Sequence, residues 1–192
     1  MAAIDSALPW YPRCKAALFA LLACDTAFYL FAGTLNQALD ATAWLTLLAL
    51  FELENRFAGG LRPGGAALAI RGTRLAAAAA ICAAAIGYSY QNEWLDAANT
   101  ALWIGVVVLL EFEVRYPRVL ARHRAQFMLT AGALYSGLGV LVLVWAWREE
   151  WFDAYDAALW LTAFALIEMD VLRISRREVT VQPACPGAFK PR

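Results

Sequence analysis

Long apolar stretches alternate with short polar joints along the whole chain. Six stretches stand out, at about 16–34, 38–56, 73–90, 94–114, 127–147 and 152–172. A helix rises 1.5 Å per residue, so about 20 residues cross a hydrocarbon core of about 30 Å. A buried bundle in a soluble protein is the alternative, but stretches such as LAAAAAICAAAIGY (75–88) lack the polar face that it needs. The pattern predicts an all-α, polytopic membrane protein with six transmembrane helices in one domain, 1–192.

The six stretches align as three tandem two-helix hairpins. Glu52, Glu111 and Glu168 fall in register at offsets of 59 and 57 residues. The other aligned sets are Trp44, Trp103 and Trp160; Asp40, Asn99 and Asp156; Tyr29, Tyr88 and Trp145; and Phe31, Tyr90 and Trp147. This register predicts repeats at 13–56, 72–115 and 129–172 around a pseudo-three-fold axis. The last two aromatic sets predict a girdle at the outer membrane–water interface.

The charges predict how the chain is oriented in the membrane. The sequence is 62% hydrophobic and 17% charged, and its formal net charge of +0 gives no field that would attract nucleic acid. Both termini and the two long joints hold 15 of the 16 Lys and Arg residues, and the other three joints hold only Arg148. Basic residues stay on the cytoplasmic side. The sequence therefore predicts a multi-pass protein of the cell inner (plasma) membrane, with cytoplasmic termini and a proline-rich cytoplasmic tail at 178–192.

Each even-numbered stretch ends in two acidic residues that are two positions apart. Such positions point about 200° apart on a helix, so the two acids take different environments. The first acid of each pair shares a face with small residues, which indicates a close helix contact and predicts an interior position. The predicted ion path consists of Asp25, in the middle of the first stretch, with Glu52, Glu111 and Glu168. The second acids are predicted to form charge clusters with arginines at the cytoplasmic rim: Glu54 with Arg56, Glu113 with Arg115, and Asp170 with Arg173.

Interior carboxylates predict a cation channel or another route for cation or proton permeation, because rings of acidic side chains select cations in channels. An intramembrane acid such as Asp25 is a functional hypothesis by default. One alternative makes the acids and arginines a lattice that ties the hairpins together, in a non-catalytic accessory or structural subunit of a larger membrane complex. The structural alternative for Asp25 is a local hydrogen bond to Thr26 or to a neighbouring helix.

The sequence lacks the signals of the common enzyme classes. His123 is the only histidine, and the four cysteines have no metal-ligand spacing, so no metal site or cofactor is predicted. An enzyme that uses the acid pairs with magnesium on a lipid diphosphate is the least favoured reading, and the chain is predicted not to be an enzyme. The predicted partners are the lipid bilayer, further copies of the chain or a larger membrane complex, and a hard cation or a proton.

Overall fold

The described part of the chain is entirely helical. The computed structural model describes residues 11–56 and 65–181, without the side chains of 55, 56, 114 and 167–181. These ranges contain seven helices and no strand: α1 Tyr11–Ala32, α2 Leu35–Arg56, α3 Gly65–Gln91, α4 Trp94–Arg115, α5 Pro117–Arg122, α6 Arg124–Trp147 and α7 Trp151–Val181. The predicted all-α class is confirmed.

Tight turns join α1 to α2, α3 to α4, and α6 to α7. In the first turn the N–H of Thr34 donates to Gln37 Oε1 at 2.9 Å, and the N–H of Gln37 donates to Thr34 Oγ1 at 3.3 Å. This reciprocal pair caps the start of α2. Asn92 and Glu149 occupy the left-handed region in the other two turns, with φ of 61° and 64°. In both, the next residue's N–H donates at 3.0 Å to a carbonyl five residues earlier, so the two turns share one geometry.

The six long helices form a closed ring in chain order. Each packs against the next one along the chain, with α4 against α6 because the short α5 lies between them, and α7 packs back against α1. The hydroxyl of Tyr29 in α1 donates to Asp153 Oδ1 in α7 at 3.0 Å, and the Phe28 and Phe152 rings lie 4.1 Å apart. The two ends of the described chain therefore meet side by side.

Three tryptophans occupy the centre of this ring. Trp44 of α2 lies 6.4 Å from Trp103 of α4 and 6.3 Å from Trp160 of α7, measured between ring centroids. Phe164 packs on Trp103 at 4.5 Å. All four side chains are buried. The rings fill the core that the three helices enclose, as large side chains do in a close-packed interior.

Glycines let α4 and α6 approach each other closely. A Cβ atom at Gly105 would lie 3.0 Å from the side chain of Leu134, and one at Gly137 would lie 3.2 Å from that of Leu102. Each glycine thus receives a leucine from the facing helix. Small residues at such contacts are typical of helix pairs in membranes, where packing replaces the hydrophobic effect as the main attraction.

Four of the helices are long and apolar enough to cross a membrane: Tyr11–Ala32, Gly65–Gln91, Trp94–Glu113 and Arg124–Trp147. Their outward faces carry large apolar side chains, for example Leu68, Leu143 and Leu75, which are 74%, 69% and 72% exposed. A soluble surface rarely exposes so much apolar area. These helices indicate a membrane protein.

The aligned aromatic positions divide into an exposed set and a buried set. The exposed set, at 84–92% of full exposure, is Phe31, Tyr90 and Trp147. The buried set, at 3–7%, is Tyr29, Tyr88 and Trp145. The prediction that both sets form an interfacial girdle is therefore wrong for the buried set. Its members lie two residues before the exposed ones and point to the opposite side of the helix.

The C-terminal boundary also differs from its prediction. Helix α7 continues to Val181, so residues 178–181, the start of the predicted proline-rich tail, are helical. The remainder of the predicted tail, 182–192, lies outside the described residues. The joint between α4 and α6 contains the short helix α5, with Pro117 in its first turn, where the missing N–H costs no hydrogen bond.

Candidate functional site

A polar cavity of about 40 Å³ lies inside the ring, at the end where the tight turns are. All six long helices line it. The lining residues are Tyr29 of α1; Gln37, Asp40, Ala41 and Trp44 of α2; Tyr88 of α3; Asp96, Asn99, Thr100 and Trp103 of α4; Trp145 of α6; and Asp153, Asp156 and Trp160 of α7. Four of these are carboxylic acids and none is basic. Gln37, Asp40 and Asp96 are partly exposed, so the cavity reaches the surface at this end.

Helical spacing explains why acids and tryptophans meet here. Each central tryptophan lies four residues after a polar cavity residue: Asp40 and Trp44, Asn99 and Trp103, Asp156 and Trp160. Residues four apart stack on one face of a helix. When the tryptophans of α2, α4 and α7 meet at the centre, the three polar side chains are brought together one turn nearer the end of the bundle.

Asp40 is surrounded by hydrogen-bond donors. The hydroxyl of Thr100, which is 1% exposed, donates to Asp40 Oδ2 at 3.0 Å. The side chains of Trp44 and Tyr88 approach the same carboxyl group. Donors of this kind stabilise an ionised carboxylate. Thr100 therefore holds one carboxyl oxygen of Asp40 at the wall of the cavity.

Asp25 and Asp156 form a second, differently arranged carboxyl pair. Asp25 lies in the middle of α1 and is only 4% exposed, and neither of its oxygens receives a hydrogen bond from the described residues. Its carboxyl group interacts with that of Asp156 on α7. The predicted hydrogen bond from Thr26 is not formed, since the buried Thr26 hydroxyl also has no partner. Two buried carboxylates that face each other repel unless a proton or a cation lies between them.

Within the described ranges, no group of three or more His, Cys, Asp or Glu residues is placed to hold a metal ion. The four cavity acids come from three helices, α2, α4 and α7, and Asp156 also interacts with Asp25. Calcium and magnesium need six or more oxygen ligands at about 2 to 2.6 Å. The arrangement suits a proton, or a cation that makes longer and more dispersed contacts, better than it suits a bare metal ion.

The glutamates of the predicted ion path lie far from this cavity. Glu52 follows Asp40 by 12 residues on α2, which is about 18 Å along a helix. It is partly buried and pairs with Lys15 of α1 at 2.6 Å. Glu111 pairs with Arg115 on its own helix, at 2.6 Å from Nε to Oε1, and its side chain is 58% exposed. The predicted interior position is therefore wrong for Glu111. The side chain of Glu168 lies outside the described residues.

The predicted rim clusters have partly different partners. Glu54 pairs with Arg74 of α3, which links two neighbouring helices. The predicted partner of Glu54, Arg56, has no described side chain, and neither do Asp170 and Arg173. Arg115 pairs with Glu111, not with Glu113 as predicted. At this end of the bundle the acids mostly meet basic residues, in contrast to the acid-only cavity at the other end.

Sequence reasoning brought only Asp25 of this site into the predicted ion path. Asp40, Asn99 and Asp156 were recognised as an aligned set but not as a site, and Asp96 and Asp153 were assigned to the polar joints. The signal that marks the set is its spacing of one helical turn from the aligned tryptophans. A position that shares a face with a core tryptophan faces the core itself.

Comparisons with protein-family models, with curated proteins and with solved structures found no match. The function is therefore inferred from the cavity.

Replacing Thr100 by valine should lower the free energy of unfolding by about 1 to 3 kcal/mol. Valine keeps the shape of threonine but leaves the Asp40 oxygen without its donor. Unfolding in detergent, followed by circular dichroism, measures the loss. The matched control is Thr130→Val, because the exposed Thr130 hydroxyl donates only to the Gln126 carbonyl of its own helix. Equal losses in the two variants would show that the hydrogen bond to Asp40 contributes no more to stability than the exposed hydrogen bond of Thr130.

Proposed function

We propose that the chain is a multi-pass membrane protein that binds and passes protons or cations through the carboxylates at its centre. The observation that carries the proposal is the Asp25–Asp156 pair: two acids on different helices, one of them 4% exposed, with neither a basic partner nor a donor to Asp25 among the described residues. Acids inside membrane helices are costly and mark ion or proton pathways. An accessory subunit needs no such pair.

The proposed architecture has six spans in three hairpins. Helices α2 and α7 are less apolar than the other four long helices, but Asp40 and Asp156 line the cavity, away from the lipid. A span tolerates acids in such positions. The closed ring, the two matching turns and the three central tryptophans support a three-fold repeat.

The orientation follows from the charges at the two ends of the bundle. The tight turns beside the cavity contain Glu93, Glu149 and Glu150 and a single basic residue, Arg148. The opposite end contains Lys15, Arg74 and the arginines of the 115–124 joint. With basic residues on the cytoplasmic side, the cavity opens to the outer side of an inner (plasma) membrane.

The central tryptophans separate the cavity from the cytoplasmic half of the bundle. Trp44, Trp103 and Trp160 pack against one another directly beneath the polar residues. A cation that enters the cavity meets these rings before it reaches Glu52. Passage past these rings requires either their rearrangement or proton transfer through the Asp25–Asp156 pair.

Flux through liposomes tests the proposal. Purified protein is reconstituted with a pH-sensitive dye inside, and a potassium gradient with valinomycin sets the voltage. We expect proton entry well above that of protein-free liposomes, or a flux of sodium, potassium or another cation in the parallel assays. No flux of protons, sodium, potassium, magnesium or calcium would overturn the proposal and favour an accessory subunit of a larger membrane complex.

A further inference from the structure

Three unpartnered oxygens surround the cavity, one from each of α2, α4 and α7. Oδ1 of Asp40, Oδ1 of Asn99 and Oδ1 of Asp156 are all buried and receive no hydrogen bond from the described residues. All three residues line the cavity. Buried acceptors without donors are rare in folded proteins and require an explanation. Here the three acceptors come from three helices and lie around the same cavity.

A third acidic side chain, Asp25, lies next to this set. Asp25 is 4% exposed, both its oxygens lack donors, and its carboxyl group faces Asp156. Asp96 and Asp153 add two more carboxylates to the wall, and no lysine or arginine lines it. The site is therefore strongly acidic and lacks an internal counter-charge. A bound cation would supply this charge.

Aromatic rings form the rest of the wall. Six rings line the cavity: Tyr29, Trp44, Tyr88, Trp103, Trp145 and Trp160. Aromatic faces attract cations that hold their water weakly, above all nitrogen cations, by about 0.5 to 2 kcal/mol each. A bare metal ion gains less from such a wall and lacks a set of three convergent protein ligands in the described ranges. The combination of rings and dispersed acceptors favours a nitrogen cation with several N–H donors.

The size of the cavity limits the cation. A volume of about 40 Å³ corresponds to roughly three or four water-sized positions. Ammonium, methylammonium and guanidinium have one, two and four non-hydrogen atoms and fit this space. Guanidinium is planar and directs its N–H donors outward in three directions, as the three acceptors require. Larger ions such as tetraethylammonium exceed the space.

We propose that this cavity binds a small N–H-bearing cation of the ammonium-to-guanidinium class through Asp40, Asn99 and Asp156. The proposal rests on the proposed function, since it names the occupant of the same cavity. Asp40 and Asp156 accept charge-assisted hydrogen bonds, Asn99 accepts a neutral one, and the tryptophans contact the face of the cation.

Binding to the purified full chain in detergent tests the proposal. Tryptophan fluorescence or calorimetry is followed with millimolar guanidinium, methylammonium and ammonium, at ionic strength held constant with sodium chloride. Saturable binding of guanidinium is expected, with tetraethylammonium giving none. Tetramethylammonium has no N–H donor, and its binding as tightly as guanidinium would overturn the hydrogen-bonding part of the proposal.

Two variants change the acceptor set in opposite directions. Asp156→Asn should weaken guanidinium binding roughly tenfold or more, and Asn99→Asp should tighten it by a similar factor, because charge-assisted bonds are about twice as strong as neutral ones. The matched control is Glu149→Gln, an exposed carboxylate at the same end of the bundle, which should leave the affinity unchanged. Equal weakening by Glu149→Gln and Asp156→Asn would show a diffuse surface effect and overturn the site.

Flux and binding together distinguish the two proposals. Flux of protons or metal ions in liposomes without saturable binding of any nitrogen cation would overturn this inference and leave the proposed function standing. Saturable binding of a nitrogen cation without any flux, including flux of the bound cation, would overturn the proposed function and leave this inference standing. The absence of both would overturn both.

Discussion

Asp25→Asn should reduce proton flux in liposomes to the level of protein-free vesicles. Asparagine keeps the shape of aspartate but has no proton to exchange. Its amide donates to Asp156, which then faces a hydrogen-bond donor where it faced a carboxyl group. The stability of the protein should stay the same or rise, because the change removes a buried acid that has no donor. Flux and thermal unfolding in detergent are measured on the same preparation.

The pairing of lost flux with retained stability separates a functional acid from a structural one. If Asp25 held the helices together, Asp25→Asn would lower the unfolding temperature, and that outcome would contradict the proposed role. Glu111→Gln is the comparison, because Glu111 lies exposed at the other end of the bundle and pairs within its own helix. It should retain flux. Loss of flux in Glu111→Gln would restore the route first predicted from the sequence.

Trp103→Ala should lower the free energy of unfolding by about 3 to 5 kcal/mol, the range for removing a buried aromatic side chain. Trp103 is 4% exposed and contacts both Trp44 and Phe164. In a membrane the loss comes from missing packing contacts and the space left behind, since lipid is itself apolar. Reversible unfolding in mixed micelles, followed by circular dichroism, gives the difference.

Trp147→Ala is the matched control for this change. The two tryptophans lie on consecutive long helices, but Trp147 is 89% exposed. Its replacement should change the free energy of unfolding by no more than about 0.5 kcal/mol. A similar loss in both variants would mean that the central contact of the three tryptophans contributes no more to stability than an exposed side chain does.

The helices and the central tryptophans were accessible from sequence because their signals are periodic. The apolar stretches are long, and four of them form helices that can cross a membrane. The register that aligned Trp44, Trp103 and Trp160 also predicted that they are equivalent, and they meet at the core. The three aligned tryptophans share a place at the core, and the repeat itself stays a prediction.

The interior face of α2, α4 and α7 was predicted from the wrong signal. Small residues such as Gly105 were taken to mark the centre of the bundle, and Glu111 was placed with them. Gly105 instead receives Leu134 from the neighbouring helix α6, whereas the centre is marked by the buried Trp103 and Val106. Small residues report close contact between two helices. Small residues do not show which of several neighbouring helices makes the contact. That neighbour is determined by the arrangement of all six long helices.

The Asp25–Asp156 pair could not be predicted because it depends on closure of the ring. The two residues are 131 positions apart, and neither of the two positions aligned with Asp25 is acidic. Its partner is fixed by the contact between the first and last helices, for which the chain has no local signal. The acids near the turns were overlooked for a related reason. An acid near the end of a span is normally assigned to a solvated joint, and only the positions of the neighbouring helices show that it is enclosed.

The closed ring has a consequence for the order in which the protein is made. Wherever the backbones of two long helices approach closely, the helices are neighbours along the chain, except for α1 and α7. Hairpins can therefore form as they leave the ribosome, with little delay from distant pairing. Until α7 has been synthesised and packs against α1, Asp25 is not covered by this helix. In the meantime it carries the cost of an acid exposed in a membrane, about 2.5 to 3.5 kcal/mol near a helix centre. The same side chain that is proposed to pass protons would thus distinguish a complete chain from a truncated one during biogenesis.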